Sequence, residues 1–223
     1  MHLCAMSESS RHAETLPVPP GTSPFHVKGL YYARILENAQ ELPGGRERLL
    51  DDLVDPRVRD FLRQRFHFST WYDAFPMLPC AVTAARIRSR PLEEYMREAG
   101  RTTMRRLIPS MFRVLSRLGG PRLAAAHAPR LFQMNYDFVE LRLSRVTDSD
   151  GAGTISGIPS YLAPVVVSQI AGIITGALES LGARDIESSQ GEITVNGSKG
   201  GFDLVTCRTD FKWRLEGTPA HRR

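Results

Sequence analysis

VSQIAGIITGALES (residues 167–180) and FDLVTCRTDFKWRL (residues 202–215) are the two stretches from which the fold can be read. In the first, Ser168, Gly172, Gly176 and Ser180 recur at every fourth position of an apolar run, a stripe of small side chains down one side of a helix. In the second, Val205, Cys207, Phe211 and Trp213 share one face of an alternating strand. Together they describe a helix packed tightly on an antiparallel sheet, with the two glycines letting it lie close to that sheet.

Working outward, Val139, Leu141 and Leu143 alternate with polar residues as a half-buried strand, Asp148-Ser149-Asp150-Gly151 is a turn, and residues 153–158 return. Ile186, Ile193 and Val195 belong to a third strand, with Asn196-Gly197 as its hairpin turn. Everything upstream has helical period. Residues 30–39 form a buried helix stopped by Pro43-Gly44-Gly45, and 46–53 form a second. Asp55 caps a third with Pro56 at its first position, running to about Phe66. Ser69 or Thr70 caps the next, which settles between Cys80 and Arg88. Pro91 opens a helix in which Leu92, Met96, Ala99, Thr103 and Leu107 share a stripe. Pro109 breaks that helix, the apolar surface continues to Leu118, and a further helix covers residues 122–132. Helices first, then strands with one helix among them, is an α+β pattern: an N-terminal helical layer packed on a small antiparallel sheet, with one long helix inserted between strands. The expected organisation is a disordered Pro-rich tail over 1–25, a single domain over 26–215, and a frayed end over 216–223.

The 42% hydrophobic and 24% charged composition is that of a soluble globular domain. Cys4, Cys80 and Cys207 are too scattered for a disulfide framework or a zinc site, which points to a reducing, cytoplasmic setting. Residues 163–178 are the one membrane candidate, but the run is short and holds Ser168, Gln169 and Thr175, so it reads as a core helix. The net charge of +5 comes from 29 basic residues of which all but Lys28, Lys199 and Lys212 are arginine. That skew reflects composition rather than nucleic-acid binding. Arginines do concentrate between residues 86 and 130, and Arg97, Arg101 and Arg105 line one side of a helix. A solvated face is the simpler account; an acidic protein partner is the functional one.

Gly29, Tyr72-Asp73-Ala74-Phe75-Pro76, Ala99-Gly100-Arg101, the residue 171–178 helix with Gly172 and Gly176, and the strand from Cys207 to Trp213 occur in an order that resembles a known superfamily. It comprises 4-vinyl-reductase-type ligand-binding domains, haem-NO-binding domains and TRAPP vesicle-tethering subunits, and within it the chain is similar to a bacterial family of proteins about this long. The resemblance covers residues 25–215. It implies a regulatory domain that binds an aromatic or other small ligand, haem or an acyl chain, and that forms a homodimer. The zinc-binding relatives' cysteine cluster is missing. So are the haem-binding relatives' proximal histidine and Tyr-x-Ser-x-Arg arrangement. No metal and no cofactor is therefore expected.

Phe66, Phe68, Trp71, Tyr72 and Phe75 form the densest aromatic cluster, which with Met104, Met111 and Phe112 is the candidate ligand wall. The alternative is a closed core. His67, set between two phenylalanines, is a candidate polar contact or axial ligand; a packed histidine bonded to backbone is the plainer reading, as for His127. Cys80 reads as a buried thiol, with a reactive or lipidated cysteine as the alternative. No acid/base pair or activated nucleophile is recognisable, so no catalytic residue is assigned and no enzymatic activity is expected. The leading expectation is a non-enzymatic sensory or regulatory domain binding a small apolar or aromatic ligand. The alternative is a dimerising scaffold, without ligand, that docks an acidic partner through Arg97, Arg101 and Arg105.

Overall fold

The computed structural model describes residues 13–105, 125, 128–130 and 132–215. Strand β1 (His26–Lys28) runs directly into α1 (Gly29–Ala39), followed by α2 (Gly45–Asp52) and α3 (Pro56–Leu62). β2 (Trp71–Asp73) returns antiparallel beside β1, and α4 (Met77–Ile87) and α5 (92–105) follow. Beyond further helical residues at 128–130 come β3 (Glu140–Val146), β4 (Asp150–Pro159), a single 3-10 turn, α6 (Ala163–Ser180), β5 (Ala183–Lys199) and β6 (Phe202–Leu215). The four long strands form an antiparallel sheet in the order β3-β4-β6-β5. This is the expected α+β arrangement, with α6 entering between β4 and β5.

Local chemistry sets most boundaries. The Asp55 carboxylate accepts the Arg57 backbone N–H at 2.9 Å, and Pro56 occupies the first position of α3. The helix expected to begin at Ser69 or Thr70 does not form there. Residues 71–73 pair with β1 instead, and Gly29 N–H donates to the Thr70 carbonyl at 2.8 Å. Trp71 and Tyr72 are strand formers, and the extended partner decides the contest. Asn196-Gly197 is likewise not the hairpin turn. β5 continues through it, the ladder slips between Val195 and Ser198 around Gly197 (φ 103°), and the chain reverses at Gly200-Gly201, both at positive φ.

The expectation of disorder up to residue 25 fails for residues 13–25. Two buried carboxylates require donors, and this segment supplies them. Leu16 N–H donates to Asp55, Arg57 donates to the Leu16 carbonyl, and Gly21 N–H, Ser23 N–H and the Ser23 hydroxyl all donate to Asp73. Phe25 is fully buried between Phe75, Phe138 and Phe202. Residues 1–12 and 216–223 lie outside the described residues.

The small-residue stripe of α6 does not face the sheet. It faces α5. A Cβ at Gly172 would overlap the Arg97 carbonyl oxygen, one at Gly176 would lie 2.8 Å from that of Arg101, and one at Gly100 would overlap the Gln169 carbonyl oxygen. The two helices therefore meet backbone to backbone, each supplying glycine at the crossing. The other faces of α6 are buried too, Val165, Val166 and Ile170 among them. Residues 160–180 are long and apolar enough to cross a membrane, but two-thirds of the span is buried inside this fold.

In an exposed helix Gly→Ala stabilises by about 1 kcal/mol. At this crossing the sign should invert: Gly172→Ala is expected to destabilise by about 2 kcal/mol, through displacement of a backbone carbonyl that cannot rotate away. Gly176→Ala should cost less. Urea denaturation of the three proteins gives the order directly.

Candidate ligand-binding site

Between the helices and the sheet lies a cavity of about 620 Å3. Protein interiors are close-packed and tolerate few voids larger than a water molecule, so a space of this size among the described residues calls for a structural account. Its walls explain it. α4 contributes Cys80, Ala81 and Ala84, α5 contributes Ala99, and the sheet side is lined by Gly151, Ala152 and Gly153. Small residues on facing elements leave room that no long side chain fills. Larger apolar groups complete the enclosure: Tyr95, Met96 and Met104 on α5, Ile173 and Ile174 on α6, and Phe211 and Trp213 on β6. At one end Lys28, Phe68, Ser69 and Met134 mark the mouth, where Phe68 and Met134 are both well exposed.

The polar content is sparse. Gln169, buried on α6, accepts the Tyr136 hydroxyl at 3.0 Å. Burial pushes the Tyr31, Tyr95 and Tyr136 phenols above their ordinary value, and it raises the Cys80 thiol. At neutral pH the buried phenols and the thiol are therefore protonated and uncharged, beside the Gln169 amide. That state of Cys80 disfavours a reactive cysteine.

Of the ligand-wall residues expected from sequence, the structure brings Phe68 and Met104 to the cavity. Phe66, Tyr72 and Phe75 are elsewhere. Phe66 stacks on Tyr32 at 4.9 Å with Tyr72 against its edge, and Phe75 packs on Phe25 and Phe202. This cluster is a closed core, separated from the cavity by α1, which turns Tyr32 to the cluster and Tyr31 to the cavity. His67 is exposed; its backbone N–H donates to the Tyr72 hydroxyl and its carbonyl accepts the Thr70 N–H. Trp71 lies outside the lining, under the Lys28 ammonium at 3.7 Å from the ring centre. Met111, Phe112 and His127 fall outside the described residues. Sequence reasoning missed Tyr31, Tyr95, Tyr136 and Gln169; the one available signal was a glutamine inside an apolar helix.

Arg101 and Arg105, expected on a partner-docking face, both turn to Glu179 on α6. Arg101 makes a two-pronged contact with its carboxylate, and Arg105 adds a bond at 3.1 Å. Arg97 reaches Gln190 on β5. The stripe is thus a seam between α5 and its neighbours, continuing the glycine contact outward.

Solved structures similar to this geometry are H-NOX domains. One is a Cs H-NOX mutant, 14% identical over 88% of this chain and all of its own, with a TM-score of 0.57. Another, 14% identical with the same coverages and a TM-score of 0.56, is an oxygen-binding H-NOX domain related to soluble guanylate cyclases. A third, from S. oneidensis in the Fe(II)NO ligation state, is 9% identical over 84% of this chain and 99% of its own, with a TM-score of 0.56. The chain has the H-NOX fold. No protein-family profile matches it, and no curated protein matches it in sequence. Of the kinds of domain named from sequence, the haem-NO-binding kind is the one whose fold these structures share with the chain.

A fold shared with haem proteins raises the question of haem, and the cavity's donor set answers it. Among the described residues no histidine lines the cavity, and the lining thiol and phenols are all held in their protonated forms by burial. Among the described residues the lining cations are engaged, Lys28 donating to the Ser69 carbonyl and Arg34 pairing with Glu37. The described residues do not fit a haem.

The Arg101 guanidinium, hydrogen-bonded to Glu179 with Arg105 beside it, holds the Glu179 carboxyl below the usual glutamate range despite partial burial. A depressed carboxylate stabilises the fold above its unfolded pKa, and that contribution is lost as pH falls through the folded value. Glu179→Gln should therefore be less stable than wild type by about 1 kcal/mol at about pH 7, with the gap closing below about pH 4. Denaturation curves across that range test the seam.

Proposed function

We propose that this chain is a non-enzymatic sensory or regulatory domain whose cavity takes up a small apolar or aromatic molecule. The observation that carries the reading is the cavity: about 620 Å3, enclosed by helices on one side and sheet on the other, and lined by apolar groups around a few polar ones. Ligand sites typically measure about 300–1,000 Å3 and have this composition. The H-NOX likeness supports the fold in which such a site sits, and the ligand assignment rests on this chain's own residues. A binding role is favoured over a catalytic one because, among the described residues, the titratable groups in the lining are phenols, a thiol and two peripheral cations. Burial moves the phenols and the thiol further above neutral pH, the wrong direction for an acid/base catalyst. The scaffold reading is less favoured because Glu179 and Gln190 already engage the arginines it requires, Arg101 and Arg105 keeping 37% and 52% of their side-chain surface exposed.

Native mass spectrometry of the protein purified from its own host, with wild type and Ala99→Phe compared, tests the proposal. Wild type is expected to carry a small molecule released on unfolding. Ala99→Phe, which fills the cavity from α5, is expected to fold and to carry at least tenfold less. A ligand-free wild type that no apolar compound stabilises against heat would refute the reading.

A further inference from the structure

The cavity wall formed by β6 is chemically uneven. Strand alternation puts Thr209, Phe211 and Trp213 on one face, and all three line the cavity. Thr209 and Trp213 are 2% and 7% exposed, yet the Thr209 Oγ1 and the Trp213 Nε1 have no hydrogen-bond partner. The buried side chains Asp55, Asp73 and Gln169 each have named donors, and of the buried side-chain atoms left without a hydrogen-bond partner among the described residues, Arg46 Nε, Arg97 Nε and Asp150 Oδ1 belong to residues outside the cavity lining. Two orphans on one strand face, both beside the same cavity, mark where a bound molecule supplies what the protein omits. The surroundings leave space for it. Gly151 stands opposite Phe211 and Gly153 opposite Thr209, so neither position of β4 projects a side chain over this wall.

The chemistry of the orphans constrains the ligand. An indole N–H is a donor only, so the group that meets Trp213 is an acceptor. Among the described residues the cations that line the cavity, Lys28 and Arg34, belong to β1 and α1, whereas Trp213 packs in an apolar cluster with Leu178, Phe211 and Val146 and its ring lies over Gly151. An ionised carboxylate there would be buried without a counter-charge, which is unfavourable. We infer that the cavity selects an uncharged apolar or aromatic molecule bearing a carbonyl-type oxygen, with that oxygen placed against β6 and accepting from the Trp213 indole. Thr209, four residues away along the strand and so roughly 13 Å distant, cannot share the same oxygen. It serves a second polar group on a longer ligand. The inference rests on the reading of the cavity as a ligand site.

Three probes with one skeleton separate the two claims: acetylnaphthalene, ethylnaphthalene and naphthoate, substituted at the same ring position and titrated calorimetrically. The ketone is expected to bind at least tenfold more tightly than the hydrocarbon, and the carboxylate more weakly than either. In Trp213→Phe, which keeps an aromatic ring and removes the donor, the ratio of ketone to hydrocarbon affinity should fall to about one, any loss from the smaller ring being common to both probes. Thr209→Val should leave the advantage intact for these short probes. Thr209→Val, which deletes an unpaired hydroxyl at nearly constant volume, should not lower the Tm of the ligand-free protein, whereas Trp213→Phe also gives up packed ring atoms of a buried residue and should lower it modestly while the fold is retained. If the hydrocarbon binds but the ketone has no advantage, keeps it in Trp213→Phe, or is outbound by the carboxylate, the oxygen assignment is overturned and the cavity reading stands. If none of the three binds, the cavity reading fails and this inference with it.

Discussion

Helices α5 and α6 touch through their backbones, and the architecture around the cavity follows from that contact. Gly100, Gly172 and Gly176 bring carbonyl oxygens of each helix to positions where a side chain would otherwise stand. Arg101 and Arg105 then close over Glu179 at the edge of the seam. With the glycine face turned to α6, the neighbouring face of α5 is left to the interior. Met96, Ala99 and Thr103 look across a gap towards the sheet. A close approach on one side of α5 thus fixes its distance from everything on the other. Because α6 is also buried against the strands, the wall cannot slide inward to fill the space. An apolar cavity held between stiff elements persists, since collapse would require breaking contacts that are already well made.

The aromatic side chains divide accordingly. One group, Phe25, Phe66, Phe75 and Phe202 with Tyr32, makes a closed core that carries the N-terminal segment and the short β1–β2 pair. A second, Tyr31, Tyr95, Phe132, Tyr136, Phe211 and Trp213, surrounds the cavity. Adjacent tyrosines on α1 belong to different groups, and their rings meet at 5.7 Å. A density of aromatic residues along the sequence therefore marked the filled core, whereas the cavity wall is assembled from residues far apart in the chain.

That contrast explains what was legible beforehand. Alternation in β6, the cap at Asp55 and the Pro-Gly-Gly stop before α2 are local signals, and each appears where the residues indicate. The small-residue stripe of α6 was visible too, but its partner was not: glycine spacing shows that a backbone comes close without saying which one. Residues 13–25 have the composition of a tail, and only the need of Asp55 and Asp73 for donors, a long-range fact, ties them down. The cavity was the least legible feature. It arises from alanines and glycines on facing elements, and an absence of volume leaves no motif.

The central claim is that this fold keeps an open, apolar and accessible space between α5 and the sheet. A crystal structure of the purified protein pressurised with xenon tests it most directly, because xenon enters dry apolar cavities and leaves close-packed cores empty. Xenon density between Ala84, Ala99 and Ile174, or a retained organic molecule occupying the same volume, is the predicted result. Side chains of α5 and β6 meeting there with no density between them would contradict the account.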